Sequence, residues 1–78
     1  MRSTLTKQQK AFLKKVGKNI TKYRKERNLS QEELGYQCDI ERAHISRAES
    51  GTHNFSIVMA LRLCEGLEIP VNKLFEFE

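Results

Sequence analysis

The stretch that most constrains the fold is Ser30 to Gly51, SQEELGYQCDIERAHISRAESG. Ser30 followed three residues later by Glu33 has the spacing of a capping box. In that arrangement the serine hydroxyl accepts from a free helix N–H and the glutamate reaches back to the serine N–H. With Leu34 next, this predicts a helix over about 31–37. Cys38, Asp39 and Ile40 interrupt the pattern. A second helix over about 42–50 ends at Gly51, where no Cβ opposes a left-handed backbone. Ile45, Ala48 and Glu49 lie at i, i+3 and i+4 on its inward face, whereas Arg42, Ala43, Ser46 and Arg47 fall on the other side with no core to fill. Two helices joined by so short a turn cannot bury both inward faces against each other. They need further elements, and they leave one helix displayed outward.

The flanks supply those elements. Thr6 with Gln9 repeats the capping-box spacing, so a long helix starts at Lys7. Phe12, Val16, Ile20, Tyr23 and Arg27 recur at helical steps as its inner stripe, and Lys14, Lys18, Lys22 and Lys25 form a separate solvated face. Gly17 inside this helix costs about 1 kcal/mol relative to alanine, a cost consistent with close packing. Asn28 suits the helix C-terminal cap. After the central pair, Ser56 caps a further helix whose inner stripe is Ile57, Ala60, Leu61, Cys64 and Leu67, with Met59 and Leu63 off the stripe and exposed. Pro70 fits the first turn of a short fifth helix over about 71–75. The chain is therefore expected to be all-α, with five helices.

Leu74, Phe75 and Phe77 are too many large apolar groups for one end of a monomer's surface, which signals an interface. Phe75 is expected to fold back into the core. Met59, Leu63, Leu74 and Phe77 are the expected dimer contacts. At 78 residues the chain forms one domain. A core of this size supplies only about 3–5 kcal/mol, so dimerisation would help hold it.

Charge is unevenly placed. Residues 1–27 carry ten Lys or Arg against one acid, Glu26, and the remaining residues carry four against nine, so +9 and −5 make up the net +4. A basic front suits a phosphate backbone, although each lysine is also explained as a solvated side chain. Met1 to Leu5 has no pattern, and Arg2 alone makes it a poor basic arm for reaching around DNA. The two cysteines, Cys38 and Cys64, read as small buried thiols of a protein in a reducing cytoplasm. No apolar run approaches the length of a membrane span. Cys38, Cys64, His44 and His53 lack zinc-finger spacing. With no phosphate-cradling glycine loop, nucleophile elbow or paired carboxylates beside a base, the expectation is no enzyme, no metal, no cofactor and no small-molecule effector.

The run Leu29-Ser30-Gln31-Glu32-Glu33-Leu34, with Ile40, Ile45-Ser46 and Glu49-x-Gly51, resembles the lambda-repressor/Cro-like (Xre-type) helix-turn-helix DNA-binding domain, over about residues 16–75. Within that family, Ile40-Glu41-Arg42-x-x-Ile45-Ser46 and Asn54-Phe55-Ser56 are most similar to the small controller proteins of restriction–modification systems. The resemblance implies that the second helix of the motif enters the major groove of double-stranded DNA. Arg42 would bond a guanine through O6 and N7, Ala43 would meet a thymine methyl, and Arg47 would read a base or hold a phosphate, with His44 and Ser46 as secondary contacts. The alternative for each arginine is surface solubility. Gln31 would address a phosphate, as would Thr52, His53 and Asn54 in the following loop, with Phe55 anchoring that loop. Arg24 would pair with Glu49 as a structural clamp, the alternative being two independent exposed charges.

Two positions depart from the family pattern. Asp39 stands where glycine is common in the turn, and Glu41 stands where Ser or Thr commonly caps the recognition helix. Glu41 either accepts bonds from the helix or Arg42, or reads a cytosine amino group. The leading reading is a sequence-specific transcriptional regulator that binds a palindromic operator as a homodimer. The alternatives are a protein-interaction module such as an antitoxin, and a nonspecific DNA binder acting through the basic first helix.

Overall fold

The computed structural model describes residues 4–77; Arg2 lies outside them. Five helices follow in order: α1 Lys7–Glu26, α2 Gln31–Cys38, α3 Arg42–Ser50, α4 Ile57–Leu67 and α5 Val71–Leu74. Each boundary has a local cause. Thr6 and Ser30 both form full capping boxes, with Gln9 and Glu33. Ser56 Oγ accepts from Met59 N at 3.1 Å at the start of α4. Left-handed residues close the helices: Asn28 just beyond α1, Asp39 at the end of α2, Gly51 at the end of α3 and Glu68 at the end of α4. Asp39 has φ 57° and ψ 47°, so the left-handed turn position is occupied by a residue other than glycine.

α2 and α3 form the helix-turn-helix. α1 packs along α3, α4 packs along α2, and α5 closes the end of the bundle against α1 and α4. The core between them is Val16, Ile20, Leu34, Cys38, Ile45, Ala48, Ala60, Leu63, Cys64, Leu67 and Leu74. Both cysteines are free and buried. Burial pushes the Cys38 thiol up to about 11, which makes it an inert small hydrophobe. Among the described residues, no helix is long and apolar enough to cross a membrane.

Gly17 is fixed by the α1–α3 crossing. A Cβ there would lie 2.6 Å from the Ala48 carbonyl oxygen and closer still to that of Glu49. Both obstacles are backbone, so no side-chain rotation relieves the clash. Gly17→Ala is therefore expected to lower stability by about 1–3 kcal/mol through overpacking, despite the gain of about 1 kcal/mol in helix propensity. Urea unfolding checks this, and a Gly17→Ala variant as stable as the parent would contradict the close crossing.

Several sequence expectations are corrected. Phe12, Ile57 and Leu61 were expected to be core, but are 46%, 80% and 43% exposed. Leu63, expected to be exposed, is completely buried, and Met59 packs half-buried against the core. α4 presents the face of Ala60, Leu63, Cys64 and Leu67 inward because α2 packs on that side. Leu74 is also completely buried, so neither Leu63 nor Leu74 is available to a second chain. The last aromatics exchange roles. Phe77 packs against the core and meets the Phe12 ring edge-on at 5.2 Å, whereas Phe75 is 40% exposed and stacks on Phe12 at 6.1 Å. The cause is Asn19, whose Nδ2 donates to the carbonyls of Leu74 at 2.9 Å and Glu76 at 3.1 Å, turning the chain back along α1.

Candidate nucleic-acid interface

α3 is held from behind by one carboxylate. Arg24 of α1 donates to Glu49 through Nε at 2.6 Å and Nη2 at 3.0 Å, a two-pronged pair that a planar guanidinium suits. Thr21 Oγ1 lies 3.0 Å from Glu49 Oε1, and Gln31 Nε2 donates to the same oxygen at 3.1 Å. Arg24 Nη1 also donates to the Leu29 carbonyl at 2.7 Å, at the entry to α2. Glu49 thus ties α3 to both α1 and α2. Burial alone pushes its carboxyl upward, but the hydrogen bonds from Arg24, Gln31 and Thr21, with the Arg24 charge, outweigh burial and hold it below the ordinary glutamate value. The Arg24–Glu49 pair expected from the resemblance is present, and its side chains are only 12% and 6% exposed.

Sequence reasoning missed Thr21 and the Gln31 amide as members of this network. A signal for Thr21 existed: it lies four residues from Gly17 and three from Arg24, on the face of α1 that meets α3. It also missed Arg27, which joins α1 to α2 through Gln37 Oε1 at 3.1 Å and to the end of α4 through the Gly66 carbonyl and Glu68.

The outward side of α3 carries Arg42, Ala43, Ser46 and Arg47, all exposed. Neither arginine makes a salt bridge among the described residues. His44 is half-buried on the α4 side, its ring 5.5 Å from that of His53 in the following loop, and His53 lies 6.1 Å from Phe55. Burial first, then the neighbouring His44 and Arg47, hold His53 below the usual histidine range. Thr52 and Asn54 are exposed; Thr52 Oγ1 lies 2.9 Å from Ser50 Oγ, and the Thr52 N–H donates to the Arg47 carbonyl at 3.0 Å. Glu41 makes no side-chain cap on α3, and Oε1 instead lies 3.8 Å from His44 Nε2. The bonds from the helix and from Arg42 considered for Glu41 are absent.

The arrangement is a short helix with two free arginines, flanked by a polar loop and braced by α1 and α2. Among the described residues no group of three or more His, Cys, Asp or Glu is placed to hold a metal ion. Gln31 is at the start of α2, but its amide nitrogen is engaged with Glu49. Met59, Leu63, Leu74 and Phe77, the expected dimer contacts, face or pack on the core. The large exposed hydrophobic side chains elsewhere are Phe12, Tyr36, Ile57, Val58, Leu61, Val71 and Phe75.

Comparison with known proteins agrees with this geometry. The helix-turn-helix family pattern matches residues 20–74. The chain is similar to the control protein C.MunI of Mycoplasma sp, 37% identical over 62 residues, 78% of this chain and 84% of that protein. It is also similar to the control protein C.BamHI of Bacillus amyloliquefaciens, 36% identical over 50 residues, 64% of this chain and 62% of that protein. Among solved structures, the restriction-modification controller protein C.AhdI from Aeromonas hydrophila superposes with a TM-score of 0.82 at 34% identity, covering 83% of this chain and 98% of that one. With the same central motif and this degree of identity, the chain belongs to the helix-turn-helix family and, within it, to the restriction–modification controller proteins.

Proposed function

We propose that the protein is a sequence-specific DNA-binding regulator of restriction–modification genes and that it binds a palindromic operator as a homodimer. The observation that carries this reading is the division of α3 into two faces. Its inner face is locked through Glu49 to α1 and α2, while Arg42, Ala43, Ser46 and Arg47 stand free on the outer face. A helix so braced can enter a major groove with little further loss of conformational freedom on binding. In this reading Arg42 reads a guanine, Ala43 meets a thymine methyl, Arg47 reads a base or holds a phosphate, and Thr52, His53 and Asn54 follow the backbone.

The dimer contact assigned here differs from the one expected from the sequence. Ile57, Phe12 and Phe75 line one groove, and Leu61 follows Ile57 by one turn of α4. This exposed apolar face is the two-fold surface in this reading. The expected separation of the two α3 helices is about 34 Å, one turn of DNA.

Selection of bound sequences from a random duplex pool at near-physiological salt tests the proposal, because non-specific phosphate contacts are weakened there. Recovery of a palindrome with a guanine is the expected result. Preference for that guanine should weaken by roughly 1–3 kcal/mol, or about fivefold to 150-fold, in Arg42→Ala. Enrichment unaffected by Arg42→Ala would remove Arg42 as the reading residue, and no enrichment would overturn the regulator reading.

A further inference from the structure

The two histidines beside the outer face of α3 belong to different segments but to one electrostatic unit. Their rings are 5.5 Å apart and cross at 70°. Each faces a different set of charges. On its own helix His44 meets Glu41, whose Oε1 is 3.8 Å from Nε2. Asp39 of the α2–α3 turn and Arg62 of α4 line the same depression as His44; Arg62 Nη1 approaches the Asp39 carbonyl at 3.4 Å. His53 meets Arg47 and His44 from α3, and Phe55 on the loop side. No carboxylate makes an ion pair with His53 among the described residues. In the free protein its cationic form is therefore disfavoured, by partial burial first and then by the neighbouring His44 and Arg47.

A phosphate oxygen brought to this edge of α3 reverses that balance. It attracts both imidazolium rings and offsets the repulsion between them and Arg47. We infer that His44 and His53 act as a coupled pair that takes up protons when the protein binds DNA, so that acidification tightens the grip on the operator backbone. This deepens the proposed function and rests on it. The sign follows from linkage. A group whose pKa is higher in the complex than in the free protein contributes affinity below the free value, and that contribution is lost as pH rises through the bound value. His53 is held below the ordinary histidine value when free, so the affinity gradient starts at that depressed value and ends as pH rises through the higher value of the complex.

The test is fluorescence anisotropy with a labelled duplex carrying the selected operator, at fixed ionic strength and matched counter-ions, from about pH 5.5 to 8.5, a range that brackets histidine titration. The proteins are the parent, His44→Gln, His53→Gln and the double variant. Both side chains are partly exposed, and circular dichroism confirms that each variant remains helical across the range. The parent is expected to gain roughly tenfold in affinity for each proton taken up per pH unit. The double variant is expected to lose most of that slope, and His53→Gln alone to lose at least half. A double variant with the parent's slope overturns the inference, as does tight, sequence-specific binding by the parent with no slope. Failure of the parent to prefer the operator over a scrambled duplex at any pH overturns the DNA-binding reading itself, and the linkage with it.

Discussion

Glu49→Ala is expected to cost about 3–5 kcal/mol, the range for removing one partner of a buried ion pair and leaving the other uncompensated. The buried-pair range applies because Arg24 and Glu49 are only 12% and 6% exposed. The substitution strands the Arg24 guanidinium and removes the acceptor shared by Thr21 and Gln31. A domain of this length holds roughly 4–12 kcal/mol in all, so the loss is a large fraction of its stability. Urea or thermal unfolding reads the change. Arg24→Lys keeps the charge but not the fork, and should fall between parent and Arg24→Ala. The pH dependence provides a second check. Glu49 is held below its ordinary value of 4.5, so its contribution is full above that value and is lost as pH falls through the depressed one. The acid limb of the parent's stability curve should be steeper than that of Glu49→Gln. Equal stability of Glu49→Ala and parent would mean that α3 is held by apolar packing alone.

If Ile57 and Leu61 form the proposed two-fold surface, replacing both by lysine is expected to leave the protein monomeric and to lower operator affinity by roughly a hundredfold or more. Two half-sites held by one dimer bind with an avidity that separate monomers lack. The monomer fold should survive, because Ile57 is 80% and Leu61 43% exposed. Sedimentation measures the association state and anisotropy the affinity. A double variant that stays dimeric would assign the two-fold surface to another part of the molecule. One that is monomeric yet binds the operator as tightly as the parent would remove the need for a dimer.

The parts of this fold written in the sequence are those with local causes. Helix starts at Thr6, Ser30 and Ser56 depend on side chains bonding backbone three residues away, and the stop at Gly51 depends on one residue's conformational freedom. The outward set on α3 was legible for the same reason: nine residues leave few ways to place Ile45 and Ala48 inward. α4 was not legible. Ile57, Val58, Met59, Ala60, Leu61, Leu63 and Cys64 offer apolar groups around most of the helix. Two stripes at helical spacing were therefore available, and contact with α2 rather than periodicity decides which turns inward. The end of the chain depended on Asn19, more than fifty residues earlier, and no pattern near Phe75 or Phe77 carries that information. In the candidate interface the Arg24–Glu49 pair came through the family resemblance. Thr21 and the Gln31 amide emerged only once α1 and α2 were placed against α3.

The most direct test of the central claim is to map which amides respond to DNA. Two-dimensional NMR of the isotopically labelled protein, titrated with the selected duplex, distinguishes two surfaces of similar charge but different use. The largest shifts are expected across residues 42–47 and 52–54, at the start of α2 around Gln31, and along the Ile57–Leu61 face if the proposed dimer tightens on DNA. Shifts concentrated on the lysine face of α1, at Lys14, Lys18, Lys22 and Lys25, with α3 unmoved, would contradict it and return the protein to a nonspecific polyanion binder.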